Sequence, residues 1–100
     1  NNFYQETLIG AYTSMFHSAR VLLYLDGVQE KSHYAVYIYL SERYGGKISK
    51  SLIESFRSYQ EERHENLYGF DSSVSKEKAE SILEDSQRFL EEVKKIYGKL

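Results

Sequence analysis

The chain of 100 residues contains no cysteine, no proline and no tryptophan. Without cysteine there is no disulfide, no thiolate nucleophile and no cysteine-based zinc site. That absence suits a reducing compartment, so a cytoplasmic protein is the expectation. Without proline nothing breaks a helix interior, and the many helix formers point to long uninterrupted helices. No apolar run approaches the ~18 residues of a membrane span, and no signal-peptide pattern is seen. Basic excess is missing too. A net charge of −2 argues against nonspecific coating of nucleic acid, so any RNA contact has to be local. No glycine-rich phosphate loop exists either, because Gly45-Gly46 ends a helical pattern instead of opening one.

Hydrophobic residues make up 41% and charged residues 28%, the balance of a single globular domain over residues 1–100. The sequence opens on Asn1 without an initiator Met, as a piece of a longer product would. Apolar positions from Tyr4 to Leu23 recur at steps of three and four, which predicts a helix over 3–25 stopped by Asp26-Gly27. Residues 32–44 predict a second helix capped by Ser32, although Val36 to Tyr39 is a β-prone run. A third helix is expected from about Ser49 to Leu67, with Ser51 and Glu54 as a capping box or Ser49 as the cap. Its buried stripe reads Ile48, Leu52, Phe56, Tyr59, Arg63 and Leu67. After the loop "GFDSSVS" comes a fourth helix, Lys76 to about Tyr97, capped by Ser75 or Ser73. Ala79, Ile82, Ser86, Phe89, Val93 and Ile96 form its heptad seam. The expected fold is all-α, an antiparallel bundle of four main helices.

The stretch "FRSYQEERHENLYG", residues 56–69, carries the densest chemistry. Arg57 and His64 stand seven residues apart, nearly two turns, so their side chains leave one helix face. Tyr68 lies close to the same line. Arg63 falls instead on the apolar stripe, where packing of its stem is the favoured reading. His17 and His33 have no ligand-spaced companions and read as packed or capping histidines; no metal or cofactor is expected. The tyrosines read as core, with Tyr34, Tyr37 and Tyr44 able to form a base-stacking ladder.

Three segments resemble one known family. "AYTSMFHSARVLLYLDGVQEKSH", residues 11–33, looks like its early helix and turn: a small residue, an aromatic, Met-Phe-His, Ala-Arg, then Lys-Ser/Thr-His. "ERHENLYGFD", residues 62–71, resembles the segment in which Arg is followed five positions later by Tyr, here Arg63 and Tyr68. "VSKEKAESILEDSQRFLEEVKKI" is similar to its closing helix. Together they resemble HEPN-domain proteins of the prokaryotic branch, most like its archaeal members.

The resemblance implies a helical bundle built on two long antiparallel helices, dimeric in most members. It also implies an RNA-linked role: many members are metal-independent ribonucleases, often toxins partnered by a nucleotidyltransferase-like antitoxin. The family signature of Arg, four to six residues, then His is met by Arg57 and His64, with Tyr68 as an added hydrogen-bond donor. Ser58 stands where members often carry Asn, Asp, Gln or His after that Arg, and the family's first helix is shortened or lost before "AYTSMFH". A twofold dimer would bring two copies of His64 into one cleft, with helix 3 or the tyrosine-rich helix near the axis. The alternative is a noncatalytic dimeric module that binds a nucleotidyltransferase-like partner or a nucleotide. On that reading Arg57, Glu61, His64 and Glu65 are ordinary neighbours on a solvated helix face.

Overall fold

The computed structural model describes the backbone of residues 2–30, 32–68 and 74–98, and the side chains of 3–30, 32–64 and 74–98. Four helices follow one another: α1 (Asn2–Leu25), α2 (His33–Tyr44), α3 (Lys50–Tyr68) and α4 (Lys76–Tyr97). No strand occurs among the described residues. The β-prone run Val36 to Tyr39 is helical because Val36, Tyr37 and Leu40 bury on one helix face against the core.

Local chemistry sets each boundary. After α1, Gly27 takes φ +74, which lets its N–H reach the Tyr24 carbonyl (3.0 Å) and the Val28 N–H reach that of Leu23 (2.9 Å). Ser32 caps α2 by accepting the Ala35 N–H, and Ser75 caps α4 by accepting that of Lys78, both at 3.0 Å. The Ser51–Glu54 box does not form. Ser49 precedes α3, and its own N–H is taken by Glu92 of α4 at 2.8 Å. The carboxylate of Glu54 accepts the Tyr37 hydroxyl instead (2.7 Å). The entry to α3 is thus tied across the bundle to α4 and not by a local box.

The core runs through three rings. Phe56 of α3 lies 5.4 Å from Tyr12 of α1 and 5.8 Å from Phe89 of α4, centroid to centroid, and all three side chains are buried. Around them Leu8, Met15, Leu22, Leu40, Leu52 and Ile82 close the interior. The α4 seam is buried from Ala79 to Val93, with Ile96 half-buried at its end. Ile48, Leu52, Phe56 and Tyr59 of the α3 stripe are buried, and so is Ile53, because α2 covers the adjoining flank. Leu67 lies outside the described side chains.

Polar contacts fix the directions. Ser49 meets Glu92, Tyr59 donates to Asp85 (2.8 Å), and Lys78 bonds Glu62 (3.0 Å), so α3 runs antiparallel to α4. The C-terminal ends of α1 and α4 meet at a cleft of about 820 Å³ that includes Leu22, Tyr44 and Ile96. Asp26 at that end accepts the hydroxyls of Tyr39 and Tyr44, each at 2.6 Å. Those two bonds hold its carboxyl below the usual range, while burial and the same carboxylate push Tyr44 up to about 12. Tyr44 is thereby committed to Asp26, and the Tyr34–Tyr37–Tyr44 ladder does not assemble. Tyr34 pairs with Tyr37 at 5.9 Å, and Tyr44 pairs with Tyr39 at 6.3 Å.

Candidate functional site

Two faces of α3 carry the candidate residues. On the first, the Arg57 guanidinium carbon lies 5.8 Å from the Tyr34 ring centre and 5.5 Å from that of Tyr37. Its Nε approaches Glu61 at 3.7 Å, one turn further along. Both partners of this pair are well exposed, so the contact itself contributes little. The rings, however, fix where the guanidinium sits. His64 is exposed on the same helix face. Tyr68 closes α3, and its side chain lies outside the described residues.

The second face was not foreseen as a site. Arg63 is half-buried, with its guanidinium carbon 5.9 Å from the ring centre of Tyr12. Its Nε is enclosed and has no hydrogen-bond partner among the described residues. His33, the first residue of α2, stacks on Phe16 at 4.0 Å and 13°. Its Nδ1 is 2.8 Å from the Tyr12 hydroxyl. Arg20 completes the group, 5.7 Å above the Phe16 ring. Sequence separation hid this meeting: positions 12, 16, 20, 33 and 63 come from three helices.

The electrostatics of the cluster are consistent. Burial, then Arg63 and Arg20, hold the His33 pKa below its ordinary value, so the ring is neutral at pH 7. Burial raises the Tyr12 pKa beyond the ordinary phenol range, with Arg63 opposing. The protonated phenol and Nδ1 share one hydrogen bond, and with the phenol as its donor the imidazole proton sits on Nε2. Among the described residues neither Arg20 nor Arg63 forms an ion pair. The cluster therefore offers Arg and His N–H donors over an aromatic floor, a combination that suits an anion.

No group of three or more metal-ligating side chains occurs among the described residues. Nor is any described helix long and apolar enough to cross a membrane. No curated protein and no solved structure matches the chain. Residues 1–96 match the model of the HEPN domain. Tyr12, Phe16, Arg20, His33 and Arg63, which meet in the cluster, all lie in the segments whose motifs resemble that family. The chain belongs to the HEPN-domain family.

Proposed function

We propose that this chain is an RNA-linked HEPN module that holds a phosphate-bearing ligand at Arg63 and His33 without cleaving it. One observation carries the reading: the enclosed Arg63 Nε–H has no acceptor among the described residues. Leaving such a donor unpaired costs about 1–3 kcal/mol. A phosphate oxygen supplies the acceptor, and His33 Nε2–H adds a second donor. With a protein net charge of −2, the binding rests on these few donors and not on a broad basic surface.

Fluorescence anisotropy with labelled single-stranded RNA, in chelator, tests the reading. Wild type should bind and leave the RNA intact. Arg63→Gln and His33→Gln should each weaken binding at least about tenfold with unchanged helix content. Competition by a free nucleotide distinguishes a mononucleotide ligand from a polymer. Absence of binding by the folded wild type would sink the reading.

Metal-independent cleavage is the second reading, favoured by Arg57 and the exposed His64 sharing one face. There Arg57 clamps phosphate, His64 carries the proton and Tyr68 donates a hydrogen bond. Cleavage in chelator that His64→Ala abolishes at unchanged thermal stability would select this reading over the first. Intact RNA with wild type would remove it.

A further inference from the structure

The chain has five arginines, and their partners sort them into two groups. Arg43 stands against Asp26 at 3.8 Å, Arg57 against Glu61 at 3.7 Å and Arg88 against Asp85 at 3.9 Å. Arg20 and Arg63 are the two without an ion pair among the described residues. They come from different helices, yet both stand over one aromatic floor. Arg20 lies over Phe16 and Arg63 over Tyr12, rings whose centres are 6.4 Å apart. In a chain of net charge −2, the two arginines that lack a carboxylate thus meet at one place.

No carboxylate offsets them among the described residues. After burial, the charges that hold down the His33 pKa are those of Arg63 and Arg20, with no acid beside them. Glu62, next to Arg63 in sequence, turns to Lys78 at 3.0 Å. Like charges gathered without a counter-ion repel, so their meeting does nothing for the fold. The floor itself is closed: Tyr12 is fully buried, and Phe16 lies under His33 at 4.0 Å and under Arg20. The rings therefore hold the donors in place, and the site reads charge.

We infer, on the binding role proposed above for Arg63 and His33, that the ligand is a terminal phosphate monoester, and that Arg20 selects it over an internal phosphodiester. A monoester carries about −1.5 to −2 at pH 7 and offers three acceptor oxygens. That charge matches two unpaired guanidinium groups, and the oxygens match the donors of Arg63, His33 and Arg20. An internal diester carries about −1 and has strand on both sides. Once it has satisfied Arg63 and His33, the Arg20 charge stays unmatched. A projecting end also reaches an enclosed donor such as the Arg63 Nε–H more readily than a continuous backbone does.

Fluorescence anisotropy with internally labelled RNAs of one sequence is the test, at about 50 mM salt because Arg20 is exposed and easily screened. The strands carry two hydroxyl ends, a 5′-phosphate, a 3′-phosphate, or the methyl ester of whichever phosphate is preferred. Wild type should bind a monophosphorylated strand at least about tenfold more tightly than the hydroxyl-ended one, and the methyl ester should lose that preference. Arg20→Gln should cut the preference below about threefold while binding the hydroxyl-ended strand as wild type does. Arg88→Gln, on α4, should keep it, and circular dichroism should show both variants fully helical. Competition by adenosine 5′-monophosphate separates the sources. Displacement at the strand's own affinity marks a mononucleotide, weaker displacement marks an RNA end, and each fits a monoester. Strands that bind equally whatever their ends, still through Arg63 and His33, would overturn the selection of a monoester and leave the binding role standing. An undiminished preference in Arg20→Gln would overturn the part given to Arg20. No binding of any strand or of the mononucleotide would overturn both.

Discussion

At the scale of the residue, Arg63 separates a packing role from a ligand role. Its stem lies in the α3 stripe over Tyr12, while its Nε–H is enclosed and unmatched. Truncation and replacement should therefore diverge. Arg63→Ala removes the stem and should cost about 1 kcal/mol in a denaturant melt. Arg63→Met keeps an apolar stem of similar length and removes the orphan donor, so its melting temperature should equal or exceed that of wild type. Its RNA binding should nevertheless be lost. A charged residue whose removal stabilises the fold is retained for something other than the fold.

His33 gives the pH dependence. Its folded pKa lies below the ordinary histidine value, so the unfolded chain takes up the proton first as pH falls. Stability from this group is full above about pH 6.5 and is lost as pH drops toward the folded pKa. Asp26 acts in a separate window, since its lowered pKa holds stability above about pH 3.9 and loses it below. Thermal melts across pH should show two acid losses. His33→Gln should remove the upper one, and Asp26→Asn the lower one. A melting temperature flat from pH 7 to pH 5 would contradict the environment described for His33.

At the scale of the element, α4 fixes the register of the bundle. Phe89 is fully buried against Phe56, whereas Gln87 is exposed. Phe89→Ala should cost about 3–5 kcal/mol, and Gln87→Ala no more than about 0.5 kcal/mol, by chemical denaturation. Ser75→Ala, which removes the acceptor for the Lys78 N–H, should cost about 1 kcal/mol. These elements were legible because their signals are local. A seam at three-four spacing, a Ser before a helix and a Gly after one act within a few residues. The start of α3, expected at about Ser49, falls at Lys50, but the tie that secures it was not legible, for the opposite reason. Ser49 is tied down by Glu92, forty-three positions away, and no local pattern reports such a bond.

At the scale of the whole molecule, the same distinction divides the two candidate sites. Arg57 and His64 were visible in the sequence because one helix places both on one face. Arg63, His33 and Tyr12 were not, because the chain must return along α1 before α2 begins for His33 to reach the Tyr12 hydroxyl. Only the motifs shared with the family hinted at them, and those motifs do not say that the residues touch. The aromatic floor has a further consequence. Tyr12 belongs both to the core, through Phe56, and to the cluster, through His33 and Arg63. Tyr12→Phe should keep the packing and lose the hydroxyl. It should therefore free His33 Nδ1 and weaken RNA binding with a small change in stability.

The central claim is that the Arg63 Nε–H is the donor which a ligand phosphate satisfies. Nitrogen-edited NMR of the arginine Nε–H groups reads that proton directly. Titration with single-stranded RNA should shift the Arg63 resonance downfield and slow its exchange with water, in step with the binding isotherm, while the Arg88 resonance stays in place. An Arg63 resonance that does not move while RNA binds would contradict the account.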